Sequence, residues 1–595
     1  MQLSAGMQRK SATFRSKRNL KTTRKQWVIK PPDSRAARLA SKLKVSPLLA
    51  QVLINRDICD HNCACSFLRP KLKDLIEPEK MPGIEPAVDR IACAIKNKEK
   101  IIIYGDYDVD GITGVSILWQ ILTLLGANVD YYIPHRVDEG YGLNDDAVQS
   151  IADAQTDLLI TVDCGITAFN SAELADKLGL DLIITDHHQT SAKLPKAIAI
   201  VHPAIDSEYS NQASSGSMVA FKLAWAVANQ FTTGQKLQPE LRRFMIDATS
   251  LTAMGTIADI MDLRGENRIL TSYGLKAIPE SRLIGLRQLI ETAGLTGEGL
   301  DSYHIGFRLA PMLNAAGRMG HARLAVELLT STSEVRSMQI AQYLKEQNDR
   351  RRRTEQKIVK HAREMIAHAG LNHPDQKTIV LADESWHTGV IGIVASRIVD
   401  KYYRPTVLIN TTESPAQGSA RSIPGFDIFK ALTACSEHLI DFGGHTMAAG
   451  VRIEPKKIAE LTEAFEEYAR DNLREEDVIA KLYIDATAPL AEFHRGMVEE
   501  LERLEPFGEG NPKPLFATKG VRLASPPRRV GTRGDHLQLA ITDNTACVRC
   551  IGFRMGTLEK KLLEADYFNV AFVPQINTFN GTSNVQFVLE DIQFE

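Results

Sequence analysis

Three short apolar runs, each closing on an acid, constrain this chain more than any other feature. "IIIYGD" (101–106), "LLITVD" (158–163) and "LIITD" (182–186) have the length and β-branched content of buried strands. Helical patterns follow them, "ITGVSILWQILTLLG" after the first and "AFNSAELADKLG" after the second, and "NVDYYIPHR" and "AIAIVHP" supply further strand runs. Such alternation from Ala87 to about Ile260 predicts an α/β fold with a parallel sheet and helices on both faces. Two glycine-seeded helices follow, "SSGSMVAFKLAWAVANQF" and "ELRRFMIDATSLTAMGTIADI". Parallel strands place their C-terminal ends on one sheet edge, where ligand sites form. Asp106, Asp163 and residues 186–188 are therefore expected at one place.

The first strand end is crowded. "GDYDVDG" carries Asp106, Asp108 and Asp110 at alternate positions, and three carboxylates so close repel unless a cation lies between them. An EF-hand also begins D-x-D-x-D-G, but it needs a bidentate Glu at the twelfth position, which here is Ile117, and a helix where this chain has a strand. "DHH" adds His187 and His188, and "TIADIMD" adds Asp259. Carboxylates mixed with imidazole suit Mn²⁺ or Mg²⁺ better than a thiolate site would, and there are enough ligands for two ions. Singly, a strand-end Asp is often a helix N-cap and a His pair often a satisfied core pair. Their joint occurrence at successive strand ends makes a metal site the expectation.

A chain of 595 residues is too long for one core, so several domains are expected. The segment 7–30 carries nine Lys or Arg and no acid, and residues 1–30 read as a disordered basic arm. The first α/β domain is expected over 31–330. Residues 333–369 contain neither Gly nor Pro, which predicts one helix of roughly 55 Å joining two bodies, within a connecting segment 331–372. A second α/β domain is expected over 373–478, and short strands over 479–595 fit a small OB-like barrel, with a sandwich as the alternative. Eight cysteines make no disulfide scaffold and fit a reduced cytoplasm; "CDHNCAC" and "CVRC" match no zinc framework. No run of about 18 apolar residues is available to span a membrane. With a net charge of −2, nucleic-acid binding must come from local patches. "RRRR" (350–353) could present at most two of its arginines to DNA, while Arg528, Arg529 and Arg533 are expected in a loop and Phe579 could stack a base or fill a core.

"YGDYDVDGITG", "VDCGI", "DHH" and "GTIAD", in this order, resemble the DHH phosphoesterase family. "RLAPMLNAAGRMG", "SARSIPGFD", "GGHTMAAG", "LEPFGEGNPKPLF" and the upstream "FLRPKLKDLIEPEKMPG" make the chain similar, within that family, to the RecJ-type 5′→3′ exonucleases specific for single-stranded DNA. The similarity covers roughly residues 30–595. It implies a parallel-sheet DHH domain and a DHH-associated α/β domain joined by a long helix, followed by an OB-like domain that binds DNA.

The resemblance further implies two Mn²⁺ or Mg²⁺ ions held by Asp106, Asp108, Asp110, Asp163, His187 and Asp259. Asp163 would bridge them, with Asp106 and Asp108 towards one ion and Asp110, His187 and Asp259 towards the other. His188 would touch the scissile phosphate, and Asp163, His188 and Asp108 would carry the catalysis. Arg136, Arg318, Ser419 and Arg421 would hold a terminal 5′-phosphate, with Gly444 and His445 of "GGHTMAAG" as further phosphate contacts; a tight packing turn is the plainer reading of that glycine motif. Single-stranded DNA, a single-strand-binding protein and a RecQ-type helicase are the implied partners, and recombination and repair the implied setting. A phosphodiesterase of short RNA or cyclic dinucleotides shares the metal motifs, but lacks a C-terminal barrel and has His where this chain has Tyr104.

Overall fold

The computed structural model describes residues 25–594 apart from 136–138, 141, 233–236, 319–320 and 580. Most of the predicted basic arm, and Arg136, lie outside the described residues. The arm's end does not: Gln26–Ile29 (β1) forms a strand that pairs with the segment Lys481–Ile484. The chain divides into two compact units. One comprises 29–361, 386–393 and 483–595; the other runs through Val28 and takes in 362–385 and 394–482.

In the first unit, Lys100–Gly105 (β2), Asn128–Tyr132 (β3), Leu158–Val162 (β4), Asp181–Thr185 (β5) and Ala199–Val201 (β6) form a five-stranded sheet in the order β3-β2-β4-β5-β6. Every pairing is parallel, as the alternating pattern requires. Apart from Lys100 at its start, β2 is buried, and so is all of β4, which is why both read as unbroken apolar runs. The helix Val109–Leu124 is apolar on nearly all sides because the helices Gly216–Gln230 and Pro239–Ala258 pack against it while it covers the sheet. These are the two glycine-seeded helices of the sequence.

The second unit contains Ile379–Asp383 (β7), Thr406–Asn410 (β8), Ala416–Arg421 (β9), Asp441–His445 (β10) and Ala448–Ile453 (β11), in the order β10-β11-β9-β8-β7. Only β7 and β8 pair in parallel. The Gly- and Pro-free segment is one helix, Glu334–Ala369, and Lys481–Ile484 (β12) follows the second sheet. Of the four consecutive arginines, Arg351 is paired with Glu355 at 3.1 Å, leaving Arg350, Arg352 and Arg353 exposed.

The C-terminal strands are Ala486–Thr487 (β13), Phe516–Val530 (β14), His536–Thr542 (β15), Cys547–Gly552 (β16), Phe568–Phe579 (β17) and Thr582–Phe594 (β18). The sheet β13-β14-β15-β16-β18-β17 closes through an extra β14–β17 pairing, which makes a barrel rather than a sandwich. Its core is aromatic: Phe572 and Phe587 stack at 3.8 Å, and Phe493 meets both edge-on. The strands are longer than expected, 15 residues in β14 and 13 in β18. Irregular register between Leu523 and Arg528 lets β14 bend around the barrel while carrying Pro526 and Pro527. Arg528 and Arg529 consequently sit on this strand and not in a loop, and Arg529 is engaged by Glu559 at 2.8 Å; Arg533 occupies the exposed turn that follows. The side chain of Phe579 lies outside the described residues.

Within the first unit, Arg268 ties the barrel segment to the α/β body. It is buried, lies over the Phe67 ring at 3.7 Å, and donates to the carbonyl oxygens of Phe67 at 2.8 Å and Glu505 at 2.7 Å. Burial lowers its pKa to about 9. Truncation strands these carbonyls and opens a cavity, so Arg268→Ala is expected to cost roughly 3 kcal/mol, read as a lower denaturation midpoint in urea.

Candidate metal centre

Each strand-end acid is held by the ladder it terminates. Asp106 N–H donates to the Val162 carbonyl at 3.2 Å, Asp163 N–H to Thr185 at 3.0 Å, and Asp186 N–H to Val201 at 3.2 Å. The carboxylates thus stand side by side on one sheet edge. The chain leaves β2 for β3 on one side and returns to β4 on the other, so they also occupy the point where the winding reverses. Asp163 turns the chain with φ +63°, a left-handed conformation that Asp and Asn tolerate better than most residues.

The helix Val109–Leu124 begins in this edge, and Asp108 is its N-cap, accepting from Asp110 N–H at 2.9 Å and Gly111 N–H at 3.2 Å. Asp110 faces the N-terminus of the helix Gly216–Gln230 and accepts from Gly216 N–H at 2.5 Å and Ser217 N–H at 3.0 Å. That helix end therefore orients the carboxylate. Asp259 is placed by the end of the helix Pro239–Ala258.

The side chains converge on three overlapping groups: Asp163 joins Asp106 and Asp108 in one and His187 and His188 in another, and His187 joins Asp110 and Asp259 in the third. Ligand atoms of Asp106, Asp108 and Asp163 lie within 4.8 Å of one another, as do those of Asp110, His187 and Asp259. His187 Nε2 lies 3.0 Å from Asp163 Oδ1, 3.6 Å from Asp259 and 3.8 Å from Asp110. Asp163 Oδ1 and His187 Nε2 are buried without a hydrogen bond among the described residues, the condition a cation would satisfy. The residues that could hold an ion, among those described, all belong to this centre.

The electrostatics agree. Burial, and then the charges of Asp110, Asp108, Asp106 and Asp259, push the Asp163 carboxyl well above the carboxylate range. Burial and the charges of Asp110 and Asp108 push Asp259 up to about 8, and burial with Asp110 raises Asp108. Burial lowers His187, which keeps its imidazole neutral and able to ligate. An all-oxygen and imidazole set of this kind fits Mn²⁺ or Mg²⁺.

His188 differs from its neighbour. Burial opposes its charge, but a 2.7 Å hydrogen bond from Nδ1 to Asp186 overcomes this and holds the imidazole at about 9. Asp186 also accepts from the backbone N–H of Ile166, His187 and His188, and is depressed to about 2 by His188 despite its burial. A protonated His188, 3.9 Å from Asp163, can contact an anion at the edge of the centre.

Four contributors were not assigned roles from sequence. Asp186 was grouped with the strand ends, yet its carboxylate positions His188. Gly216 must lack a side chain, because a Cβ there would lie 2.6 Å from the Asp163 Cβ, and one at Gly255 would lie 2.4 Å from Asp110 Oδ1. Gly317 of "NAAGR" packs against the loop between Asp106 and Asp108, where a Cβ would come within 2.7 Å of the Tyr107 carbonyl oxygen. Arg318 ends that helix, with its side chain outside the described residues.

In the second unit, Arg421 donates to Ser419 Oγ at 3.1 Å on the same face of β9. Ala448 is the register partner of both Arg421 and His445, so these two residues share one row of the sheet. Gly444 belongs to a tight hairpin, where φ is +146° and a Cβ would lie 2.3 Å from the Ala448 carbonyl oxygen.

The sequence matches three family models: the DHH family N-terminal domain over 100–253, the DHHA1 domain over 375–471, and the RecJ OB domain over 484–591. It is 37% identical over 570 residues to a single-stranded-DNA-specific exonuclease RecJ of Bacillus subtilis, covering 95% of this chain and 70% of that one. The crystal structure of Thermus thermophilus RecJ in complex with Mn²⁺ superposes with a TM-score of 0.82 at 30% identity, covering 96% of this chain and 80% of that one. The Mg²⁺ complex of RecJ from the same organism gives 0.76 at 29% identity, with 96% and 78% covered. Parallel sheet, second α/β domain and closing barrel are all accounted for, and the chain belongs to the RecJ family of DHH phosphoesterases.

Proposed function

We infer that this chain is a metal-dependent exodeoxyribonuclease that hydrolyses single-stranded DNA from its 5′ end, releasing 5′-mononucleotides. The observation that carries the reading is the set of overlapping ligand groups linked through Asp163 and His187, set on the sheet edge of a chain that is RecJ-like from its first sheet to its barrel.

Asp106 and Asp108 would hold one divalent ion and Asp110, His187 and Asp259 the other, with Asp163 within reach of both. When bound, the ions neutralise the phosphodiester and acidify an attacking water. Asp108 and Asp110 are held in place by helix N-termini, so their carboxylates do not have to reorganise when an ion enters. His188, kept protonated by Asp186, donates to a non-bridging phosphate oxygen and stabilises the charge that builds there. Two Mn²⁺ or Mg²⁺ ions are the expected complement.

Directionality requires recognition of the terminal phosphate. Arg421 and Ser419, already paired through a hydrogen bond, supply a guanidinium fork and a hydroxyl, with Gly444, His445, Arg136 and Arg318 as further contacts. Arg421→Ala is expected to slow digestion about tenfold on 5′-phosphorylated strands and to leave 5′-hydroxyl strands little affected; equal loss on both substrates removes Arg421 from this role. The barrel tracks the strand downstream, as OB domains do. A single-strand-binding protein and a RecQ-type helicase are the partners that would expose its substrate, in recombination and repair in the cytoplasm. Eight free thiols accord with that compartment, and no described helix is long and apolar enough to cross a membrane.

The direct test is digestion of a 3′-labelled, 5′-phosphorylated oligonucleotide with Mn²⁺. Mononucleotides should appear as the labelled strand shortens, while a blunt duplex stays intact. Survival of long strands with cleavage only of oligomers a few nucleotides long would replace this reading with that of a short-RNA phosphodiesterase.

A further inference from the structure

The helix Pro239–Ala258, which delivers Asp259 to the metal centre, ends in an unusual way. Its stop residue is Ile260, at φ +55°, with the Met261 N–H closing onto the Thr256 carbonyl at 3.1 Å. Glycine normally fills this left-handed position. A β-branched side chain there carries a steric cost that glycine would avoid. Core packing does not account for it, because Ile260 is 70% exposed.

A second element packs on the same helix. The π-helical turn Ile305–Leu309 packs against it in ordinary van der Waals contact, Gly306 lying beside Ile257. Such turns are rare and concentrate at functional sites. Its outer side carries Phe307, 69% exposed, and the preceding turn Tyr303, 56% exposed, with their rings stacked at 4.9 Å. Tyr303 also lines a cavity with Phe507 and Lys513 of the barrel segment, and Leu263 N–H donates to the Glu509 carbonyl at 2.9 Å. Ile260, Phe307 and Tyr303 are thus carried on elements that pack in sequence from the end of the Asp259 helix to the barrel segment.

We propose that Ile260, Phe307 and Tyr303 form an apolar track on which the bases of the single strand stack between the metal centre and the barrel. This rests on the nuclease reading above. Flat aromatic faces open to solvent suit nucleobases of any sequence, and continuity with the metal centre and the barrel selects DNA as the occupant over a protein partner.

The test is binding of a 3′-fluorescent, 5′-phosphorylated oligothymidylate in EDTA, followed by anisotropy. Tyr303→Ala and Phe307→Ala are each expected to raise Kd on the order of tenfold, and Phe307→Trp to restore it. Ile260→Gly is expected to raise Tm yet weaken binding severalfold, a combination that a purely structural role would not produce. On a strand of abasic sites the unchanged protein should bind weakly and the variants no worse. Variants that bind the normal strand like the unchanged protein, or lose as much on the abasic strand, overturn the track. If the unchanged protein with Mn²⁺ leaves single strands intact, the nuclease reading itself fails and the track with it; if it digests them while the variants bind normally, the track alone fails.

Discussion

Asp163→Asn is expected to lower kcat on single-stranded DNA on the order of 10³-fold or more, because it removes the carboxylate that the two proposed ions would share. Asn is the informative substitution: it keeps the shape of the side chain and accepts φ +63°, whereas Ala would add backbone strain to the chemical loss. The same change should raise the Tm of the metal-free protein. Burial and four neighbouring carboxylates hold Asp163 well above its ordinary pKa, so its charge opposes folding at neutral pH. The sign extends to the unchanged protein. An acid whose folded pKa is raised destabilises increasingly as pH climbs from the unfolded value, about 4, through the folded one. Metal-free protein is therefore expected to lose stability as pH rises towards 8, where Asp259 ionises, and Mn²⁺ to restore it. A Tm in EDTA that falls on Asp163→Asn would contradict this account of the cluster.

Gly216→Ala is expected to be damaging as well, although it replaces no ionisable group. The added methyl would lie 2.6 Å from the Asp163 Cβ and 2.7 Å from its Oδ1, and the helix end carrying the N–H groups that hold Asp110 would have to retreat. Displacement of about 1 Å at such a centre costs about 10²-fold in rate. Both ligand groups are disturbed, so the Mn²⁺ concentration needed for half-maximal activity should rise as well. A variant with normal kcat at saturating Mn²⁺ would show that the two helices can separate freely, and that the positions of Asp110 and Asp163 are not set by this contact.

The acids of the candidate site were legible because an apolar run ending in Asp is a local signal, and strand polarity alone gathers successive ends on one edge. The contacts that aim those acids were not. Asp110 is held by Gly216 and Ser217, more than a hundred residues later, through a helix packing that no local pattern encodes. Asp186 looked like one more strand-end acid, and only its bond to His188 separates it from the two ligand groups. In the barrel, Pro526 and Pro527 disguised a strand as a loop, because the irregular register that tolerates them is a tertiary feature. Gln26–Ile29 was absorbed into the basic arm for a similar reason: four residues form a strand only because Lys481–Ile484 is there to pair with them.

Electron paramagnetic resonance of the protein titrated with Mn²⁺ tests the central claim most directly. Two ions sharing Asp163 should give the spectrum of an exchange-coupled pair at two equivalents, which Asp163→Asn converts to that of isolated ions. A spectrum of one uncoupled ion that saturates at one equivalent, unchanged by Asp163→Asn, would contradict the shared centre and the catalysis built on it.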